Sequence, residues 1–205
     1  MNFTHIVFDV DGTLLDSEKT GMVSLQQTIL SELGKEMTLQ ELYPYFGIPS
    51  FQAVLKLGFK DPEKAALLWE ENFQALTYLT KPFDGIEDVL KFLYKKGVVM
   101  GVITSRNRPE FESDRHLSEW MPYFALTICA EDAPKHKPAP DPMWLFLEKT
   151  GADPANVLFV GDTSNDQICA HAAGTSFALA IWGTRNGKDL PAEFYLERPR
   201  DLLTL

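Results

Sequence analysis

The chain has 205 residues, of which 45% are hydrophobic and 23% are charged. This composition is typical of a globular protein with a buried core and excludes disordered and fibrous classes. The formal net charge of −10 argues against binding to nucleic acid or to an anionic membrane, because both require basic patches. The start shows no signal segment, no apolar run reaches the length of a bilayer span, and Cys129 and Cys169 lack metal or redox spacing. We therefore expect a cytoplasmic protein with two reduced thiols.

The first element is an apolar run from His5 that ends on Asp9, with Asp11 two positions later and Gly12 next. Side chains two apart in an extended backbone leave on the same side, so Asp9 and Asp11 point to one place. At about 4 Å and an effective dielectric near 20, their repulsion is on the order of 4 kcal/mol. A cation or a proton would offset this repulsion; the alternative is an Asp-Gly turn without a function.

The segment from Asp16 to Lys81 has apolar residues at helical spacing and no pattern typical of a strand. A first helix is predicted after Ser17 and stops at Gly34. Further helices are predicted over residues 38–46, 50–57 and 62–79, with breaks at Gly47, Pro49, Gly58 and the Asp61-Pro62 pair. Residues 16–81 are therefore predicted to form a separate helical domain inserted after the first strand.

Helices and strands alternate from Asp84 onward. Strands are predicted over residues 98–103, 125–129, 156–160 and 176–181, and helices between them over 86–96, 109–120, 141–150 and 165–173. Strands that are apolar on both faces and alternate with helices indicate a parallel sheet covered on both sides. The predicted fold is α/β, with a doubly wound, Rossmann-like core domain of residues 1–15 and 82–205 that carries the small helical domain.

Three predicted strands end in polar residues, namely Asp9 with Asp11, Thr104 with Ser105, and Asp162. Ligands of open α/β sheets bind beyond the carboxyl ends of the strands, so we expect these side chains to converge on one site. Asp166 follows Asp162 by four residues, a spacing that brings both carboxylates to one side. Four carboxylates at one sheet edge favour a hard divalent cation, with Mg²⁺ as the natural candidate. The alternative for Asp162 or Ser164 is a helix cap.

Two further segments carry polar groups that become candidates for the site only because the carboxylates described above are expected near them. Prolines stiffen the chain just after Lys137, and a lysine fixed near surplus negative charge could hold a phosphoryl oxygen as a point charge. The alternative is an inert surface lysine. Residues 104–107 supply hydroxyls, an amide and the guanidinium of Arg106, or else form a solvated loop.

These segments, in this order, resemble the haloacid dehalogenase superfamily of phosphohydrolases, most closely its phosphoglycolate-phosphatase-like branch. Its first motif is similar to Asp9-Val10-Asp11-Gly12-Thr13, its second to Thr104, its third to Lys137, and its fourth to Gly161-Asp162 with Asp166. The resemblance covers essentially the whole chain. It identifies the helical segment of residues 16–81 with the cap domain of that branch.

The resemblance implies a Mg²⁺-dependent phosphatase that hydrolyses a small phosphate monoester through an aspartyl-phosphate on Asp9. It implies that Asp11 serves as general acid and base and offers its main-chain carbonyl to the metal. The implied metal set is Asp9, Asp11, Asp162 and Asp166, and the implied phosphate-binding set is Thr104, Ser105 and Lys137. Cap closure would exclude water from the site.

The sequence departs from the family pattern at two places. Many relatives follow the second-motif threonine with Asn and Lys, whereas Ser105 and Arg106 stand here. The cap has no arginine before Lys81 with which to bind a substrate carboxylate, so the substrate stays open. Alternatives are a phosphosugar mutase, a phosphonate hydrolase with a cap lysine, or a non-catalytic phospho-receiver; Asp11 argues against a dehalogenase. Monomer and homodimer are both compatible with the sequence.

Overall fold

The computed structural model describes residues 3–45, 50–184 and 187–205, so Phe46, Gly47 and Pro49 of the predicted helical segment lie outside the described residues. The chain divides into two compact units. We call Met1–Leu15 with Pro82–Leu205 the core unit and Asp16–Lys81 the inserted unit. The role of the inserted unit as a cap stays a prediction.

Eight strands lie in the described residues: β1 (His5–Phe8), β2 (Leu15–Asp16), β3 (Lys81–Pro82), β4 (Val99–Ile103), β5 (Phe124–Ile128), β6 (Val157–Gly161), β7 (Ser176–Ala180) and β8 (Phe194–Leu196). Six of them form one sheet in the order β5-β4-β1-β6-β7-β8, and β2 pairs with β3. Every neighbouring pair in the large sheet is parallel. Since the chain starts in the middle and adds strands first on one side and then on the other, the predicted doubly wound α/β fold is confirmed.

The helices of the core unit are α5 (Ile86–Lys95), α6 (Arg108–Ser113), α7 (Arg115–Trp120), α8 (Asp141–Thr150) and α9 (Ser164–Ala172), and those of the inserted unit are α1 (Glu18–Leu33), α2 (Leu39–Leu42), α3 (Ser50–Leu57) and α4 (Pro62–Ala75). Short 3₁₀ turns follow several of them. Neither these helices nor any other in the described segments has the length and apolar character to cross a membrane.

The large sheet is buried on both faces by helices. Alternate residues of β1 face opposite sides, so Ile6 and Phe8 pack in a cluster with the apolar side of α5, while Val7 packs with residues of α8 and α9 such as Phe146 and Cys169. This two-sided burial explains why the strands are apolar throughout.

One prediction for the core unit was wrong in detail, and one strand was missed. The predicted helix over residues 109–120 is broken at Asp114, whose backbone is extended and whose side chain accepts hydrogen bonds from the N–H groups of His116 and Leu117. Asp114 therefore ends α6 and caps α7. Strand β8 was not predicted, because three residues at a sheet edge are too few for an alternating pattern to be recognised.

The inserted unit is helical around its own core, in which apolar residues of α1 such as Leu25 and Ile29 pack with Trp69 of α4. Small polar residues of α1 are buried beside this core, and each finds a hydrogen-bond partner. The indole of Trp69 donates to Ser24 at 2.9 Å, and the Asn72 amide donates to Thr28 at 3.0 Å. Helix α1 ends where predicted, because Gly34 adopts a left-handed φ of 62°.

Candidate active site

Three buried carboxylates lie together beyond the carboxyl ends of β1 and β6. The parallel register sets Phe8 opposite Val160, so that Asp9 and Asp162 follow two adjacent strand ends. Asp166 joins them from the first turn of α9. One oxygen from each carboxylate lies within 4.8 Å of the others, and none of the three residues is more than 5% exposed. We call Asp9, Asp162 and Asp166 the acidic cluster.

Lys137 is the cation of the acidic cluster. Its Nζ lies 2.6 Å from Oδ1 of Asp9 and 2.7 Å from Oδ1 of Asp166, and it donates to the main-chain carbonyl of Ile103 at 3.3 Å. The side chain is only 4% exposed. The loop before α8 thus delivers one fixed positive charge to the ends of β1 and β4.

The turn after β1 is shaped to accept Asp162. Gly12 has a φ of +88°, and a Cβ on it would lie 2.3 Å from Oδ2 of Asp162. Only glycine meets both conditions without strain. The hydroxyl of Thr13 donates to Oδ1 of Asp162 at 3.0 Å, so the same turn also orients that carboxylate.

Asp166 is held by the residue that caps its helix. The Thr163 hydroxyl and N–H donate to Oδ2 of Asp166 at 2.6 and 3.0 Å, and the Asp166 N–H donates back to the Thr163 hydroxyl. This capping box leaves Oδ1 of Asp166 to Lys137. The alternative in which Asp162 or Ser164 caps α9 is wrong, since Thr163 is the cap.

The acidic cluster carries more negative charge than Lys137 balances. Burial raises the pKa of Asp9 to about 7, because desolvation outweighs the attraction of Lys137 and the charge of Asp166 adds to it. Burial, together with repulsion from Asp9 and Asp166, also raises the pKa of Asp162. Burial alone would lower the pKa of Lys137, but Asp166 and Asp9 raise it further than burial lowers it. Three oxygen ligands with surplus negative charge suit a divalent cation such as Mg²⁺.

The side chain of Asp11 is held elsewhere, by Arg106. Nε of Arg106 donates to Oδ2 of Asp11 at 2.8 Å and Nη2 donates to Oδ1 at 2.6 Å, while Nη1 donates to Oδ2 of Asp114 at 3.1 Å. We call Asp11, Arg106 and Asp114 the arginine clamp. Among the described residues, the group of oxygens spaced for a metal contains Asp9, Asp162 and Asp166 and not the Asp11 carboxylate. A metal contact through the main-chain carbonyl of Asp11 stays a prediction.

The two hydroxyl residues predicted at the end of β4 differ in exposure. Thr104 is 3% exposed, and its Oγ1 accepts a hydrogen bond from the N–H of Arg106 at 3.1 Å. Ser105 is half-buried. Their roles as phosphate ligands stay predictions.

Sequence reasoning gave no role in this site to Thr13 or Asp114, and it named Arg106 as a candidate guanidinium and as a departure from a motif without naming its partners. Thr13 belongs to the turn after β1, and its position in Asp-Gly-Thr was a usable signal. Asp114 carried no signal in the sequence, because nothing in a predicted helix indicates that one of its residues pairs with the loop that precedes the helix. Arg106 was named, but its partners 95 and eight residues away do not follow from the sequence.

Comparisons with known proteins agree with this architecture. Residues 6–180 match the family model of haloacid dehalogenase-like hydrolases. A phosphoglycolate phosphatase of Xylella fastidiosa (strain 9a5c) is 33% identical, over 95% of this chain and 89% of the relative. The pyrophosphatase PpaX of Bacillus pumilus (strain SAFR-032) is 26% identical, over 98% of this chain and 94% of the relative.

A crystal structure gives the same result for the fold. A candidate phosphoglycolate phosphatase from Lactobacillus plantarum superposes with a TM-score of 0.91 at 29% identity, and the match covers 100% of this chain and 99% of that one. The family model spans most of the chain, and the relatives span nearly all of it. The chain therefore belongs to the haloacid dehalogenase-like hydrolase family and is a phosphohydrolase.

Proposed function

We propose that this phosphohydrolase cleaves a small phosphate monoester in two steps, with Asp9 as nucleophile and Mg²⁺ as cofactor. The observation that carries the proposal is the acidic cluster, in which three buried carboxylate oxygens lie within 4.8 Å of one another beside Lys137. Such a cluster is costly without a function, because burial and mutual repulsion both oppose its ionisation.

The residues present fit a magnesium ion. Mg²⁺ prefers oxygen ligands and is commonly held by one or two carboxylates together with phosphate oxygens. Asp9 and Asp162 would be the direct ligands, and Asp166, which Thr163 and Lys137 hold in place, would support them. When bound, the ion would neutralise charge on the anionic substrate, so that the carboxylate of Asp9 and a phosphoryl group could approach each other.

In the first step Asp9 attacks phosphorus, a bond forms from its carboxylate oxygen to phosphorus, and the bond from phosphorus to the leaving oxygen breaks. Asp11 donates a proton to that oxygen, so that an alcohol leaves. Lys137 and the hydroxyl of Thr104 hold the phosphoryl oxygens as a positive charge and a hydrogen-bond donor. Ser105 is assigned to the same phosphate-binding set from the sequence.

In the second step a water molecule attacks phosphorus of the aspartyl-phosphate while Asp11 takes its proton. The bond between phosphorus and the Asp9 oxygen breaks, which regenerates the carboxylate and releases inorganic phosphate. Asp11 has then gained the proton that it gave up in the first step. One difficult displacement is thereby divided into two easier ones.

The substrate is a small phosphorylated metabolite. Phosphoglycolate is the first candidate because it is the substrate in the name of the relative from Xylella fastidiosa. Pyrophosphate is the second, because the relative from Bacillus pumilus is named a pyrophosphatase; it is an anhydride, and its leaving group would be phosphate in place of an alcohol. The inserted segment, residues 16–81, contains lysines and no arginine, so it offers no forked donor for a substrate carboxylate. A screen with both compounds decides between them.

The proposal is tested with 4-nitrophenyl phosphate, a generic aryl phosphate that can be used before the natural substrate is known. We expect the purified protein to hydrolyse it with Mg²⁺ and to lose the activity with EDTA. Asp9→Asn should abolish turnover, on the order of 10⁴-fold or more, with the fold unchanged by circular dichroism. Full activity of Asp9→Asn would remove Asp9 as the nucleophile. A stable aspartyl-phosphate without turnover in the unmodified protein would favour the phospho-receiver.

A further inference from the structure

We propose that Arg106 is a positioning residue that fixes the carboxylate plane of Asp11 for proton transfer. This inference rests on the proposed function, in which Asp11 is the acid and base, and it adds Arg106, to which the two-step mechanism above gives no role. The planar fork of an arginine binds the two oxygens of a carboxylate through two separate nitrogens, which fixes the carboxylate plane, whereas a lysine has a single nitrogen.

The first argument is the geometry at Asp11. Two nitrogens of Arg106 contact two different oxygens of Asp11, at 2.8 and 2.6 Å. A carboxylate held by one oxygen can rotate about its last bond, whereas one held by both oxygens cannot. Each oxygen has a second acceptor position, and the Asp11 side chain is 23% exposed. Asp11 can therefore exchange a proton with a reacting group while Arg106 holds it.

The second argument is that Arg106 itself is anchored at both ends. Its N–H donates to the hydroxyl of Thr104 at 3.1 Å, and its carbonyl accepts from Ala130 at 2.9 Å. Its Nη1 donates to Asp114, whose other oxygen accepts from the N–H groups of His116 and Leu117. The start of α7 thus fixes Asp114, Asp114 fixes Arg106, and Arg106 fixes Asp11.

The third argument is that a purely structural arginine would not need Asp11. Arg106 is 6% exposed and already has a buried counter-charge in Asp114, which is 4% exposed. Its second carboxylate comes from the turn after β1, 95 residues away, two positions from the nucleophile. The break between α6 and α7 that places Asp114 in reach also interrupts a sequence with helical spacing. We infer that the arrangement serves Asp11 rather than the stability of the loop.

The test compares Arg106→Lys with the control Arg108→Lys. Arg108 lies two residues away and pairs with Thr127 and Asp132 rather than with Asp11. Release of the leaving group is measured in a single turnover, with enzyme in excess and with two substrates. One is 4-nitrophenyl phosphate, whose leaving group departs without a proton, and the other is an alkyl phosphate, whose leaving oxygen requires one.

We expect Arg106→Lys to slow the alkyl phosphate on the order of 10- to 100-fold, because misplacing a reacting group has effects of this size. The aryl phosphate should change by less than about threefold, and KM for both substrates, measured separately in the steady state, should stay within about threefold. Arg108→Lys should leave both substrates unchanged. Equal losses on the two substrates, or no loss in Arg106→Lys, would overturn the proposal.

A double-mutant cycle with Asp11→Asn provides a second readout. If Arg106 acts through Asp11, adding Arg106→Lys to Asp11→Asn causes no further loss, whereas independent effects multiply and contradict the proposal. Should Arg106→Lys fail to fold, Asp114→Asn loosens the anchor and should impair the alkyl phosphate selectively, by a smaller factor. Its failure to do so would overturn the proposal as well. Failure of the proposed function is separate, since the unmodified protein would then hydrolyse neither ester.

Discussion

The core unit holds two cation-centred clusters that differ in charge balance and in geometry. In the acidic cluster Lys137 is the counter-charge for three carboxylates, and it contacts one oxygen of Asp9 and one of Asp166. In the arginine clamp two carboxylates share Arg106, which grips both oxygens of Asp11. Lys137 and its partners are at most 7% exposed, whereas Asp11 is 23% exposed. Solvent therefore stabilises the charges of the arginine clamp more than it stabilises those of the acidic cluster.

This difference indicates different tasks. A lysine is a point charge that leaves the remaining oxygens of its partners to other ligands, so the acidic cluster is open to a metal and to a phosphoryl group. An arginine fork occupies both oxygens of one carboxylate in a plane and leaves little room for a second cation. The acidic cluster thus lacks a cation to balance its charge, whereas the charges of the arginine clamp are nearly balanced within it. The clamp fixes the orientation of the Asp11 carboxylate.

The largest effect is expected when the cation of the acidic cluster is removed. Lys137→Met leaves buried carboxylates without a counter-charge, which costs about 3–5 kcal/mol of unfolding free energy. We expect the loss in urea unfolding of the metal-free protein at pH 8. Lys135→Met is the matched control, because Lys135 lies in the same loop and is exposed.

Arg106→Met sharpens the contrast between the clusters. Its cost should be smaller than that of Lys137→Met, because Asp11 is partly solvated and Asp114 keeps the N–H groups of α7. Equal costs for the two variants would mean that the clusters do not differ in the way their charges are balanced.

The second effect concerns Asp162. With its pKa raised by burial and by Asp9 and Asp166, ionised Asp162 destabilises the metal-free protein above that pKa. Asp162→Asn should therefore make the metal-free protein more stable at pH 8, by about 1–3 kcal/mol, while it lowers Mg²⁺-dependent activity on the order of 100-fold. Thermal unfolding with EDTA measures the gain in stability, and hydrolysis of 4-nitrophenyl phosphate with Mg²⁺ measures the loss of activity. A variant that is less stable without metal would show that the hydrogen bond from Thr13 stabilises Asp162 by more than burial and repulsion destabilise it.

The third effect is the pH dependence of metal stabilisation. The pKa of Asp9 is raised from 3.8 to about 7, so the contribution of its protonated form is present below pH 4 and is lost as pH rises to about 7. Mg²⁺ needs the ionised carboxylate. The affinity for Mg²⁺ should thus fall up to about tenfold for each pH unit below 7. The rise in melting temperature caused by Mg²⁺ should shrink between pH 7.5 and 5.5, and a constant rise would contradict the value for Asp9.

Much of the core unit follows from its sequence because local patterns decide it. The apolar strands, the glycine after β1 and the carboxylates at strand ends place Asp9, Asp162 and Asp166 near one another before any coordinates are known. The partners within the site do not follow in the same way. Whether Asp11 joins the other carboxylates or turns to Arg106 depends on side-chain directions at the end of β4, and no spacing encodes them. The break at Asp114 depends on a competition between helix continuation and capping, and there tertiary pairing with Arg106 favours the cap.

The smallest effect on the free energy of unfolding is expected at Asp114. Two substitutions there separate its role as the charged partner of Arg106 from its role as the cap of α7. Asp114→Asn keeps a good helix cap, and Arg106 keeps Asp11 as a charged partner, so no buried charge is left alone. The loss of unfolding free energy should be about 1 kcal/mol. Asp114→Ala should lose about 1 kcal/mol more, since the N–H groups of His116 and Leu117 then lack an acceptor. If Asp114→Asn were instead as damaging as Lys137→Met, Arg106 would depend on Asp114 for its charge balance, and the clamp would be no more self-sufficient than the acidic cluster.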